Sequence, residues 1–213
     1  MSFNSFDFAI FLPTVFVIYW FLGNRRLRAQ NILLVAASYF FYGTWDWRFL
    51  FLIFISSLAD FVIGGFLQKP NKDAHRKKLL WLSLSLNLGL LGFFKYFNFF
   101  IDSFAYTFSF LGVTFDEARL NILLPVGISF YTFQTLSYTI DIYRRKIKAC
   151  NDPFAFFAYV SFFPQLVAGP IERAKNLLPQ FTDKRVFNYS KAADGVRQIL
   201  WGLFKKIVIA DNC

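Results

Sequence analysis

The sequence predicts an all-α, polytopic transmembrane protein, and three observations carry that reading. Of the 213 residues, 56% are hydrophobic and 17% charged, whereas a soluble domain is about 45–50% apolar and about 25% charged. Mean hydropathy is +0.43 despite a formal net charge of +10, so charge and apolar content occupy different stretches of chain, as a bilayer requires. Phenylalanine alone supplies 32 residues, which rules out a disordered tail. Nucleic-acid binding as the purpose of the +10 would need the basic residues to share one soluble face, and no nucleic-acid partner is expected. Two cysteines, Cys150 and Cys213, are too few for a disulfide framework.

A helix of roughly 20 residues crosses a hydrocarbon layer of about 30 Å. Five stretches qualify as spans: residues 7–23, 30–44, 49–67, 79–94 and 120–143. The first has no positive charge before it and no small-residue cleavage site after it, so it reads as a retained anchor. Basic residues cluster in three loops: Arg25, Arg26 and Arg28; Lys69, Lys72, Arg76, Lys77 and Lys78; Arg144, Arg145, Lys146 and Lys148. The positive-inside rule puts these loops in the cytoplasm and the N-terminus outside. The short turn with Trp45 and Trp47 suits the opposite interface.

Between Lys95 and Arg144 the charge pattern demands one crossing, which 120–143 supplies. Residues 96–111, with Asn98 and Asp102 among many aromatics, are therefore expected to form an interfacial helix. Residues 153–171 are apolar, but Pro164, Gly169 and Pro170 interrupt them. Lipid cannot satisfy the backbone groups that such breaks release, so this segment is expected to be broken or re-entrant and packed inside protein. A polar connection follows, and 198–213 begins a further helix. With no closing loop after it, the chain is expected to be one polytopic domain truncated at its C-terminus.

Ionisable groups within a span need partners or a wet cavity. Ser56, Asp60 and Gly64 recur at four-residue spacing and share one face, and Ser83 and Asn87 on the next span are natural partners for Asp60. Gln134, Ser137 and Asp141 fall at i, i+3 and i+7 beside Tyr131 and Tyr138. Such a stripe is either glue between helices or the wall of a polar tunnel, and Asp141 is also within a turn of Arg144, where an interfacial ion pair is the alternative. The only histidine, His75, lies in a basic loop and reads as a solvated residue. The sequence has no CxxC, HExxH, GxxxxGK[ST] or GxGxxG, so metal, phosphate-loop and dinucleotide chemistry have no support.

Three segments together resemble the membrane-bound O-acyltransferase family, in the bacterial branch of the alginate O-acetylation and teichoic-acid D-alanine transfer proteins. They are LPVGISFYTFQTLSYTIDIYR (124–144), FFPQLVAGPIER (162–173) and GLFKKIVIAD (202–211). Their order and spacing also match, as do the Arg25-Arg26 loop and the Phe41-Tyr42-Gly43-Thr44-Trp45 stretch. The resemblance implies the N-terminal portion of a ring of tilted helices in the bacterial inner membrane, with a tunnel joining a cytoplasmic donor side to an extracytoplasmic acceptor side. An acyl group, acetyl by expectation, would pass from a non-covalently held donor such as acetyl-CoA to a hydroxyl of an exported polysaccharide such as alginate. Membrane lipid and a periplasmic acetyltransferase are the other expected partners.

On this reading Gln134, Ser137, Tyr138, Asp141, Pro164, Gln165, Gly169, Pro170, Glu172 and Arg173 are candidates for the tunnel or substrate side. The family's catalytic histidine follows the third segment, and no residue of this chain aligns with it. The enzyme activity is therefore expected of the intact parent, and this chain alone is expected to be inactive. A transporter or channel would instead show broken helices in two halves and several mid-membrane charges. A non-catalytic scaffold for a periplasmic partner is the third class.

Overall fold

The computed structural model describes residues 3–23, 26–70, 72–109, 125, 127–166, 169–170 and 172–211. Every regular element among them is helical. Helix α1 (Phe6–Phe21) starts where the Ser5 side chain accepts from the Phe8 N–H at 3.2 Å. Pro13 removes one backbone donor in mid-helix, and beside it the Thr14 hydroxyl donates to the Ile10 carbonyl at 2.8 Å. Helix α2 is Leu27–Gly43 and α3 is Arg48–Gln68. Between them Asp46 accepts from the Arg48 backbone and guanidinium at 2.7–3.1 Å. That hydrogen bonding holds the Asp46 carboxyl below the usual carboxylate range. Helix α3 ends because Lys69, preceding Pro70, is forced into extended backbone.

Helix α4 (Asp73–Ser109) runs unbroken through 79–94 and most of 96–111, which the charge pattern divides into a span and an interfacial helix. The physical reason is local. No proline lies within it, and isolated Gly89 and Gly92 each cost only about 1 kcal/mol, too little to break a long helix. Helix α5 (Ile128–Tyr143) follows Gly127; residues 120–124 of the expected span lie outside the described residues, as do 110–111. Helix α6 (Pro153–Ser161) is capped by Asp152, which accepts from the Phe154 N–H at 3.0 Å, with Pro153 in its first turn. At Phe162 the backbone leaves the helix, and α7 (Phe163–Leu166) resumes with Pro164 in its own first turn. Short helices α8 (Ala174–Leu177) and α9 (Pro179–Thr182) come next. Helix α10 (Tyr189–Phe204), capped by Asn188, begins well before residue 198 and continues as a π-helical turn, Lys205–Ala210.

The polarity of the fold is that of a membrane protein. Helix α3 and residues Asp73–Ile101 of α4 are long and apolar enough to cross a bilayer, with mean hydropathies of 2.2 and 1.3. Their outward faces carry Phe51, Phe54, Leu58, Val62, Trp81, Leu82 and Leu86, all exposed, while Ser56, Ser57, Asp60, Ser83 and Asn87 are buried. That inversion is unfavourable in water and natural in lipid. The apolar core gathers where α1 and α2 meet α7. There the rings of Phe3, Phe8, Phe11, Phe41 and Phe163 stack or meet edge-on, with centroids 4.9–6.4 Å apart.

Candidate functional site

Helix α5 carries two polar faces. On one, Thr132, Thr135 and Thr139 turn toward α3 and α4. The Asp60 carboxylate accepts from Ser83 Oγ at 2.6 Å, from Asn87 Nδ2 at 2.7 Å and from Thr139 Oγ1 at 3.4 Å. Thr135 Oγ1 donates to Asn87 Oδ1 at 3.2 Å, and Ser83 Oγ lies 3.3 Å from Thr139 Oγ1. All these groups are buried. Ser83 and Asn87 are the partners that the four-residue spacing anticipates. The role of this cluster is helix packing: each donor that would otherwise face hydrocarbon has an acceptor, and no cation reaches the carboxylate among the described residues.

The opposite face bears the predicted stripe. Gln134 Nε2 donates to the Tyr159 carbonyl at 2.7 Å, and the Tyr159 hydroxyl donates back to the Gln134 carbonyl at 3.0 Å, which locks α5 to α6. Ser137 Oγ donates to the Gln134 carbonyl at 2.8 Å and accepts from the Ala174 N–H at 3.3 Å, which fixes the start of α8. The Tyr138 hydroxyl accepts from the Cys150 N–H at 3.0 Å, and its ring packs 4.6 Å from that of Phe156. Gly64 permits this: a Cβ there would stand 2.7 Å from Tyr138 Cε1 and 2.8 Å from its hydroxyl. Asp141 is buried and forms no ion pair with Arg144; its carbonyl accepts from the Lys146 N–H at 2.8 Å.

The described parts of the interrupted segment do not all face the stripe. Helix α7 rests on α2, where the Phe163 N–H donates to Ser38 Oγ at 3.2 Å. Its Leu166 carbonyl abuts Gly127, whose φ of +77° and lack of Cβ are both needed, since a Cβ would lie 2.8 Å from that oxygen and collide with the Tyr42 hydroxyl. Gln165 Nε2 donates to the Pro170 carbonyl at 2.9 Å, and its own carbonyl accepts from the Gly169 N–H at 2.8 Å. Pro164 is exposed on the rim of an apolar groove of about 300 Å³ shared with Leu12, Val15 and Tyr19. Glu172 is half-buried and Arg173 exposed at the start of α8. Of the ten candidates, Gln134 and Ser137 are thus hydrogen-bonded to α6 and α8 and Tyr138 to the Cys150 N–H, while Gln165, Gly169 and Pro170 bond to one another.

Two arginines do work that the sequence does not announce. Arg185 donates to the Gln180 carbonyl at 2.9 Å, to Asn31 Oδ1 at 2.6 Å and to Gln30 Oε1 at 3.4 Å, and lies over the rings of Tyr19 and Phe181. Burial pulls its pKa down. Arg76 is buried and donates to the Leu67, Ile142 and Tyr143 carbonyls at 2.8–3.3 Å, which caps the C-terminal ends of α3 and α5 together. The only signal for Arg76 in the sequence is its place in a basic loop, where a cation reads as solvated. His75, its neighbour, is exposed and far in sequence from both faces of α5.

Taken together, the fold and its buried polar seams define a helical membrane protein whose helices are joined by hydrogen bonds within the apolar layer. No family model matches the chain, and no solved structure matches it. Among curated proteins, it is 38% identical to the probable alginate O-acetylase AlgI of Pseudomonas putida, over 99% of this chain and 42% of the relative. It is 39% identical to the AlgI of Pseudomonas aeruginosa, over 99% of the chain and 40% of the relative. A peptidoglycan O-acetyltransferase of Helicobacter pylori is 36% identical, over 100% of the chain and 45% of the relative. This agreement bears out the resemblance to the bacterial alginate O-acetylation branch of the membrane-bound O-acyltransferases. The chain spans less than half the length of the curated relatives it matches.

Proposed function

We propose that this chain is part of an O-acetyltransferase that moves an acetyl group from a cytoplasmic donor, acetyl-CoA in the first instance, to a hydroxyl of an exported polysaccharide such as alginate. The observation that carries the proposal is that relatives matched over nearly the whole chain are named for O-acetyl transfer, to alginate in one group and to peptidoglycan in another. The protein spans the inner membrane several times with its N-terminus outside, since the three basic clusters then share the cytoplasmic side. A periplasmic acetyltransferase completes the transfer to the polymer.

Within this reading the unit of Gln134, Ser137 and Tyr138 belongs to the tunnel side with Asp141, Pro164, Gln165, Gly169, Pro170, Glu172 and Arg173. Its contribution is positioning, because its polar atoms are engaged with α6, α8 and the Cys150 N–H. A hydroxyl acceptor needs a general base near neutrality, and the only imidazole here, that of His75, is exposed in the first turn of α4. The chain alone is therefore inactive. Expression of the 213 residues in membranes of a strain lacking its own alginate O-acetylase should restore no polysaccharide acetylation, whereas a full-length version should. Acetylation by the 213 residues would place the base within this chain and overturn the assignment.

A further inference from the structure

Helix α5 ends in a turn with two hydrogen bonds: the Arg145 N–H donates to the Ile142 carbonyl at 2.9 Å, and the Lys146 N–H donates to the Asp141 carbonyl at 2.8 Å. This is the Schellman arrangement, and its central residue is left-handed, a place that glycine fills without strain. Here the residue is Arg145, at φ +59°, the one non-glycine with positive φ among the described residues. The sequence thus keeps a long cation where the backbone favours glycine. Strained positions of this kind gather at functional sites.

Arg145 lines a cleft of about 590 Å³ between the C-terminal ends of α3 and α5 and the first turn of α4. Lys69, Arg76, Lys146 and Lys148 line it as well, and among the described residues no acidic side chain does. Asp73 approaches Arg76 at 4.0 Å, but its side chain is almost fully exposed and stands outside the lining. The volume is that of a small-ligand pocket. Helix dipoles explain part of this charge, because Arg76 neutralises the carbonyl ends of α3 and α5. They do not explain the rest. Arg76 spends Nε and Nη2 on carbonyls and its Nη1 stands 4.0 Å from Asp73 Oδ1, whereas the side chains of the other four cations cap no helix among the described residues.

We propose that this cleft binds a phosphate-rich anion, a ligand carrying two neighbouring phosphates or an equivalent phosphorylated headgroup, with Arg145 as its principal donor and Lys69, Lys146 and Lys148 beside it. Five cations around one cavity call for more than one negative charge, and guanidinium forks match phosphate geometry. The source is either a soluble diphosphate compound or an anionic lipid headgroup at the membrane surface. The assignment does not rest on acetyl transfer and is tested without it.

The test uses the 213-residue chain in an uncharged detergent, titrated with inorganic pyrophosphate by calorimetry, and in parallel in phosphatidylcholine nanodiscs with a minor share of phosphatidic acid, scored by co-purified lipid. Arg145→Gly should raise the thermal midpoint, because the strain is relieved, and weaken anion binding about ten-fold, the loss of one charged hydrogen bond. Arg144→Gln, one residue away and outside the lining, should leave binding unchanged. Arg145-dependent binding of pyrophosphate identifies a soluble ligand, and Arg145-dependent retention of phosphatidic acid identifies a headgroup. The proposal is overturned if neither probe binds, if Arg145→Gly gains stability with unaltered affinity, or if Arg144→Gln loses as much as Arg145→Gly.

Discussion

Removing the Asp60 carboxylate would leave a buried Asn87 N–H without its acceptor and the Ser83 hydroxyl with only the longer contact to Thr139 Oγ1. Each stranded donor costs about 1–3 kcal/mol, so Asp60→Ala should lower the thermal midpoint in detergent strongly. Asp60→Asn, which keeps one carbonyl oxygen, should fall in between. Gly64→Ala acts one turn further along the same face of the helix. Its methyl group would press on the ring of Tyr138, which is held by Phe156 and the Cys150 N–H and cannot swing away. An overpacking cost of about 1–3 kcal/mol follows, read as the same loss of thermal midpoint. Gln134→Leu, placed in the full-length protein, should reduce acetyl transfer without loss of membrane insertion, since it breaks the link to the Tyr159 carbonyl and leaves the apolar content intact. Unchanged transfer would remove Gln134 from the site. Burial also raises the Cys150 thiol pKa and keeps it protonated, so maleimide should label it slowly until the protein unfolds.

At the scale of elements, what the sequence reveals depends on which force leaves a mark in it. The pairing of Asp60 with Ser83 and Asn87 is legible because three polar residues in uniformly apolar helices have few alternatives. Thr135 and Thr139 escape notice because a threonine in a span can return its hydroxyl to its own helix, as both do here, to the Thr132 and Thr135 carbonyls. The break before α7 shows in Pro164. The continuity of α4 does not show, because charge placement reports which side of the membrane a loop occupies and is silent on whether the backbone bends. Arg76 is hidden for a related reason: a cation that caps two helix ends has the same sequence surroundings as one in water. Arg76→Leu should uncap α3 and α5 together, at a cost of about 1.5–3 kcal/mol for each charged hydrogen bond lost. Hydrogen exchange should then quicken at the last turns of both helices while the first turn of α5 stays protected.

For the whole molecule, the topology is the claim with the widest reach. In a background of Cys150→Ala and Cys213→Ala, a cysteine at His75 should react with a membrane-impermeant maleimide only after the cells are opened. A cysteine at Trp47 should react in intact cells whose outer membrane has been permeabilised. The reverse pattern would invert the protein and move the cationic cleft to the outside. Substrate class leaves no such mark in this chain, because the relatives named for alginate and for peptidoglycan match it almost equally well.

The buried carboxylate also sets an order of events during synthesis. The partners of Asp60 lie 23 and 27 residues downstream in the chain. At roughly 5–20 residues per second, Asp60 therefore leaves the ribosome about one to five seconds before Asn87 does. For that interval a lone α3 in lipid would hold an unsatisfied acid at mid-depth. The two helices should thus enter the membrane as a hairpin, with α3 kept at the insertion machinery until α4 arrives. A chain stopped between them should be found there, unreleased, and Asp60→Leu should let it go.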